Sequence, residues 1–360
     1  MPTITTIAKA LNLSPMTVSR ALNGSFENAR ASTRAKAEKI REAATKMGYR
    51  TNVAARIMRS GRVDDIALIL STQTSLSILP ESLLEGIFKA LYQSGHHLIM
   101  APVKDKDLTN PGYVPNILAE WRAGGVLINY NAKIPPRMIE LMKRFDPPHI
   151  WLNSKHAANC VHIDDHAAAE QLTSHLLAAG LKKIAYADYY ATKGEPPWHY
   201  SGVDRYNGYA AQMAAAGLVP CRVDSEIGPA NTPVSPADAA AFTVSWLLSK
   251  QRPDAVVCYN PQTARTLHYA IAATRHKLSG PPPVVAVFCD RETWEFADAS
   301  VTQLIPFVEM AFRGAKLLLE QMAFPPGSKA PKSAPVKLRP GKTLAGRNVV
   351  FKRGAKPLIH

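Results

Sequence analysis

TITTIAKALNLSPMTVSRALNG, residues 3–24 of the chain, decides the reading of the whole N-terminal module. Ile4, Ile7, Ala8 and Leu11 recur at the spacing of one helix face, with threonine hydroxyls ahead of them to cap it. Asn12-Leu13 breaks the pattern. Ser14-Pro15 restarts it, with Ser14 as N-cap and Pro15 at the first helical position, where a missing N–H costs nothing. The second segment runs from Met16 to Leu22, and Val18 and Leu22 can pack back on Ala8 and Leu11. Two short helices joined by a tight break, the second rich in Thr, Ser and Arg, make a helix-turn-helix. In such a unit the first residues of the second helix reach the major-groove edges of duplex DNA. Here those are Pro15, Met16, Thr17, Ser19 and Arg20. Arg20 and Asn23 suit guanine or phosphate, while Thr17 and Ser19 suit phosphate or either base. A small solvated helical bundle with no DNA role is the alternative.

Outward from this stretch, a third helix is expected from after Ser32 to Met47, with Ala37, Ile40, Ala44 and Met47 on its apolar face and Gly48 as its stop. Asn52 to Met58 reads as one more short helix capped by Asn52. At under two turns it is marginal alone and would order only against a partner or DNA. An apolar wedge at Met58 beside the arginines is the composition of a minor-groove bending device.

The strings TVSRALNG (17–24) and GYRTNVAAR (48–56), with Thr33-Arg34, resemble the headpiece of the lactose-repressor/galactose-repressor (LacI/GalR) family. The resemblance implies that Ser14, Thr17, Ser19, Arg20 and Asn23 contact an operator. It also places Met58 where the family carries an intercalating Leu. The candidate DNA-binding set is therefore Thr3, Ser14, Pro15, Met16, Thr17, Ser19, Arg20, Asn23, Asn52, Ala55, Arg56 and Met58.

Charge agrees with this layout. The 360 residues carry a formal net charge of +15. Residues 1–62 contribute +9, residues 63–324 contribute −3, and residues 325–360 contribute +9 with no acidic residue. A nearly neutral body thus lies between a basic module and a basic, proline-containing end, a balance that suits a polyanionic partner at the ends. No apolar run is long enough to span a bilayer, and Met1 leads into no apolar leader, so neither a membrane-spanning nor a secreted chain is expected. Four scattered cysteines (160, 221, 258, 289) form no CxxC and suit a reducing cytoplasm.

From Asp65 the pattern turns to alternating strand and helix. Strands are expected at 66–70, 97–100, 126–129, 149–152, 184–187, 256–258 and 284–288. Helices are expected at 81–93, 136–145, 165–178, 206–216, 236–249, 263–274 and 308–322. Repeated βα units with apolar strands predict mostly parallel sheets covered on both faces, with ligands at the strands' carboxyl ends. GLKKIAYA (180–187), DRYNGYAAQMAAAGL (204–218) and VTQLIPFVEMAFRGAKLLL (301–319) resemble segments of the same family's periplasmic-binding-protein-like core. On that match Arg205 is the arginine that holds effector hydroxyls or a carboxylate, with an interdomain salt bridge as its other reading. Ser71, Asn153, Asn260 and Asp290 fall at the family's polar cleft positions, while Cys289 and Pro261 replace its acids. The stretch 189–201 adds Tyr189, Tyr190, Trp198, His199 and Tyr200. Its rings either stack on a sugar face or pack on their own prolines. The candidate effector set is Ser71, Asn153, Trp198, Arg205, Asn260 and Asp290.

Catalysis finds no foothold: neither GxGxxG, nor a Walker loop, nor GxSxG is present. His162-Ile163-Asp164-Asp165-His166 has ligand types for a metal, but it lies where a strand enters a helix, and an Asp there caps. No metal or cofactor is expected. The sequence predicts an all-α helix-turn-helix headpiece (1–50), a hinge helix and linker (51–63), an α/β core of two interleaved subdomains (64–350) and a basic tail (351–360). The expected function is a cytoplasmic, homodimeric DNA-binding regulator, a repressor acting on a pseudo-palindromic operator under a small-molecule effector such as a sugar. A sugar- or nucleoside-binding solute receptor without a DNA role is the alternative.

Overall fold

The computed structural model describes residues 3–22, 26, 29–47, 65–120, 123–189, 191, 199–223, 227, 234–324 and 331–351. The chain divides into two compact units, 1–62 and 63–360. Asn23, Asn52, Ala55, Arg56, Met58 and Trp198, Gly48 and the tail beyond 351 lie outside the described residues.

The first unit contains α1 (Ile4–Ala10), α2 (Pro15–Leu22) and α3 (Ala31–Lys46). Thr3 and Thr6 form a reciprocal capping box at the start of α1. Asn12, at φ +51°, makes the break in the left-handed region that asparagine tolerates. Ser14 Oγ accepts the Thr17 N–H at 3.2 Å and so caps α2. The three helices close on Ile7, Ala8, Val18, Ala21, Ala37, Ile40 and Ala44, with Leu11 and Leu22 packed at the edge. α3 starts at Ala31, ahead of its expected position, and Arg41 on it donates to the Ala21 carbonyl at 3.1 Å. That bond satisfies one of the open carbonyls in the last turn of α2.

In the second unit, β1 (Ile66–Ser71), α4 (Glu81–Tyr92), β2 (Leu98–Val103), α5 (Asn116–Ala119), β3 (Gly125–Ile128), α6 (Pro136–Phe145), β4 (His149–Leu152) and β5 (Cys160–Ile163) come first. There follow α7 (Asp165–Ala178), β6 (Ile184–Ala187), α8 (Tyr200–Ala215), β7 (Cys221–Arg222), α9 (Pro236–Leu248), β8 (Ala255–Cys258), α10 (Pro261–Thr274), β9 (Val284–Cys289) and β10 (Ser300–Leu304). Helix α11 (Phe307–Met322), β11 (Val336–Leu338) and β12 (Thr343–Ala345) complete it. They build two six-stranded sheets, β11-β5-β4-β3-β1-β2 and β7-β6-β8-β9-β10-β12. Among the described residues, every pairing is parallel except β10 with β12.

Alternation along single strands sorts the layers. Ile184 and Tyr186 face the core shared with Tyr209 and Met213 of α8, whereas Ala185 and Ala187 face the cluster of Trp246 and Leu247 from α9. Two helix pairs approach closely through glycine. A Cβ on Gly86 of α4 would stand 2.2 Å from the Val308 carbonyl oxygen, and one on Gly208 of α8 would stand 2.2 Å from that of His166. The chain passes between the two sheets three times, at 163–165, 305–307 and 339–342. Helix α8 begins six residues before its expected start because His199 caps it. Among the described residues, no helix is long and apolar enough to cross a membrane.

Candidate functional site

Two surfaces carry the residues singled out by the sequence. On the headpiece, Ser14, Pro15, Met16 and Arg20 are exposed on one side of α2, Thr17 and Ser19 are half-buried beside them, and Val18 and Ala21 face inward. Met16 is 66% exposed, a large apolar side chain left in water at the leading turn of α2. Ser14 and Thr17 hydroxyls also meet at 2.8 Å, so the polar start of α2 is already ordered. Thr3 is exposed and spent on its capping box. An exposed, pre-ordered helix end with hydroxyls and an arginine can take up phosphates and base edges.

The second surface is built at the carboxyl ends of the parallel strands, where open α/β sheets bind ligands. Ser71 ends β1, Asn153 follows β4, Asn260 follows β8 and Asp290 follows β9. Arg205 comes from α8 and is 8% exposed. Its Nε and Nη2 both reach Asp165 Oδ1 at 2.7 Å, and Nη1 donates to the Tyr259 carbonyl at 2.7 Å. The guanidinium also lies over the rings of Phe288 and Tyr259, 4.5 and 5.0 Å from their centroids. Burial works against its charge, but Asp165 together with Tyr259 and Tyr186 more than offsets this and raises the Arg205 pKa. In this state the fork therefore spends its donors within its own half of the core.

Asn153 sits at φ +52° and is held from the other half. His199 Nε2 lies 2.8 Å from its carbonyl oxygen, and the Tyr200 hydroxyl donates to its Oδ1 at 3.1 Å. The Ile163 N–H donates to the same tyrosine oxygen at 3.1 Å, so Tyr200 ties β4 to the first crossover. Burial holds His199 below the usual histidine range, keeping its ring neutral. Lys155 pairs with Asp204 at 2.5 Å on the same flank, its ammonium 4.7 Å from the Tyr200 ring centroid. On the other flank, Ser82 at the start of α4 donates to Asp290, and Arg291 pairs with Glu81. The two halves are thus pinned on both sides of the strand ends.

Asn260 caps α10, its Oδ1 accepting the Thr263 N–H at 2.8 Å. Ser71 donates to Asp105 Oδ2 at 2.6 Å, and Gln73 Nε2 reaches the same oxygen at 3.2 Å. Arg205, Tyr259 and Asn260 therefore form one group, and Asn153 is fastened to the start of the helix that carries Arg205. Ser71 belongs to a separate cluster with Asp105. Ser82, Asp105, Tyr259 and Phe288 escaped the sequence reading. Asp105 could have been found from its place just after β2, at the same edge as the nominated residues.

The histidine-aspartate run at 162–166 resolves as helix capping. Asp164 Oδ1 accepts the Ala167 N–H at 3.2 Å, and Oδ2 pairs with Lys337 at 2.7 Å. Burial pushes the Asp164 pKa up, but those two partners outweigh it and hold the carboxyl below the usual range. Among the described residues, no group of three or more His, Cys, Asp or Glu could hold a metal ion.

Comparison with known proteins places both surfaces in context. A family profile described as the periplasmic binding proteins and sugar binding domain of the LacI family matches residues 79–305. One described as bacterial regulatory proteins, lacI family, matches residues 3–52. The chain is 29% identical over 186 residues to the HTH-type transcriptional regulator GntR of Pseudomonas aeruginosa, covering 51% of this chain and 52% of that protein. It is 26% identical over 228 residues to the HTH-type transcriptional regulator CelR of Thermobifida fusca, covering 60% of this chain and 62% of that one. The chain spans about half the length of the curated relatives it matches. Among solved structures, it resembles the lac repressor dimer bound to operator and the anti-inducer ONPF, with a TM-score of 0.72, 19% identity, and 97% of this chain and 99% of that chain covered. It also resembles a transcriptional regulator CelR–cellobiose complex, with a TM-score of 0.59, 20% identity, and 96% and 100% covered.

Proposed function

The chain belongs to the LacI family of bacterial regulatory proteins, and on that premise we propose that it is a sequence-specific DNA-binding regulator, a repressor whose operator affinity is set by a small-molecule effector. The observation that carries the reading is helix α2: capped by Ser14, anchored inward by Val18 and Ala21, and exposed through Met16 and Arg20. Two such helices in a homodimer would read the half-sites of a pseudo-palindromic duplex. Residues 51–63 serve as hinge helix and linker, with Asn52, Ala55, Arg56 and Met58 acting on the minor groove. Residues 64–350 are the effector-binding and dimerisation core, and 351–360 a basic tail.

The effector is a sugar or sugar derivative held at the strand ends by Ser71, Asn153, Trp198, Arg205, Asn260 and Asp290. Its differential affinity for two arrangements of the core halves shifts the population that binds operator. Such a protein works in the cytoplasm. The reading is supported by the relatives' names as transcriptional regulators and by cellobiose in the complex of the similar CelR.

Gel shifts on operator fragments selected from a random duplex library test it. The expected result is a pseudo-palindromic site, bound with an affinity that falls steeply with salt and is lost in Arg20→Ala. Equal binding to scrambled duplex would overturn the reading. A thermal-shift screen of sugars and nucleosides, repeated with Trp198→Ala, tests the effector half.

A further inference from the structure

At the opposite end of the second sheet from the nominated cleft residues lies a cavity of about 280 Å³. It is lined by Ile184, Ala185, Met213, Leu218, Val219 and Trp246, with Lys182, Lys183, Gln251 and Cys221 around them. Its origin is topological. The edge strand β7 is two residues long and covers only Ala185 and Tyr186 of β6. Beyond that pairing the sheet edge ends, and the last turns of α8 and the flank of α9 leave a gap that wraps from one face to the other. Met213 and Ile184 belong to the inner face's core and Trp246 to the outer one, so the cavity joins two hydrophobic layers.

Its chemistry is asymmetric. The walls are thioether, branched aliphatic and indole, whereas the rim is cationic. The Lys183 ammonium is committed to the Lys250 carbonyl at 3.3 Å, and its backbone N–H to Asp254. Lys182 is exposed and makes no hydrogen bond or ion pair among the described residues. The volume lies near the lower bound of small-molecule pockets, roughly 300 Å³.

We propose that this cavity is a second small-molecule site, apart from the strand-end cleft, for a compact aromatic or branched apolar acid whose anionic end meets Lys182. The apolar body displaces water from the Met213–Trp246 walls, and the carboxylate or sulfonate stays at the wet rim. Cys221 supplies a built-in reporter: it is among the residues that line the cavity and is exposed, while Cys160, Cys258 and Cys289 are buried.

The probe is 1-anilinonaphthalene-8-sulfonate, an aromatic sulfonate, titrated into the full chain by fluorescence. One saturable site is expected, with affinity at least fivefold weaker in the surface variant Lys182→Glu and little changed in Arg291→Ala beside the cleft. The bound probe should slow iodoacetamide alkylation of Cys221 at least fivefold, read by peptide mass spectrometry. Probe binding that neither protects Cys221 nor responds to Lys182→Glu would overturn the proposal, as would the absence of saturable binding. Neither readout depends on operator binding.

Discussion

Arg205 and Asp165 meet through two nitrogens on one oxygen, Nε and Nη2 each 2.7 Å from Oδ1, with Asp165 only 1% exposed. A buried pair of this kind adds little over a hydrophobic isostere, but breaking it leaves a charge without compensation. Arg205→Ala should therefore cost about 3–5 kcal/mol, whereas the double change Arg205→Met with Asp165→Leu should be far less damaging. Urea melts of the three proteins check this. A single variant as stable as wild type would show that the pair does not hold α7 to α8.

The glycines at the two helix crossings predict matching defects. Gly208→Ala forces a methyl against the His166 carbonyl, and Gly86→Ala forces one against that of Val308. Both contacts are with backbone, which cannot rotate away. Each variant should lose roughly 1–3 kcal/mol or more, the cost of overpacking. Differential scanning calorimetry of the full chain would register it as a lower Tm for the core.

Acid should weaken the core before it affects the carboxylates. Burial lowers the pKa of His149, His156, His162, His175, His199 and His268, the last to about 4. His268 stacks on Phe296 at 4.4 Å and shares a 2.7 Å contact with Ser300 Oγ. These rings are neutral in the folded state but charge in the unfolded chain below about pH 6.5. Their contribution is therefore complete above that pH and lost progressively as pH falls below it, for His268 down to about 4. Chemical denaturation at pH 7.5 and 5 should differ, and His268→Phe should reduce the difference by about 2 kcal/mol. An unchanged pH profile in that variant would remove His268 from the effect.

On the headpiece, Ser14 serves both helix start and surface. Ser14→Ala removes the cap on Thr17 and should cost about 1 kcal/mol of headpiece stability. Ser14→Asp keeps the cap but sets a negative charge toward phosphate. Melting followed by circular dichroism, paired with gel shifts, separates the roles: Ala lowers stability, while Asp spares it and abolishes DNA binding.

Much of this was legible beforehand, for identifiable reasons. The edges of α6, α7, β4 and β6 follow directly from Pro136, the capping Asp164 and short apolar runs bounded by turns. The two-residue β7 carries no periodic signal, and the start of α8 hid behind the aromatic stretch because a capping histidine is uncommon. At the cleft, positions after strand ends could be named from sequence, but their bonds could not. That Asn260 spends its oxygen on a cap and Asp290 meets Ser82, over 200 residues away in sequence, depends on tertiary placement. The charge at the C-terminal end also gained a use: on the surface of the second unit, Lys337 pairs with Asp164 and Arg347 with Asp298.

The routing of the chain bears on how such proteins can be recombined. The core halves are joined by three crossings, with β11 and β12 closing opposite sheets a few residues apart. Replacing one half with its counterpart from a relative thus requires three compatible junctions at once, and a single misfit leaves a sheet edge open. The headpiece connects only once, ahead of β1. One splice in that linker exchanges the DNA-reading end while leaving every crossing intact. Modular reassortment in this architecture has a single inexpensive seam, between what is read and what is sensed.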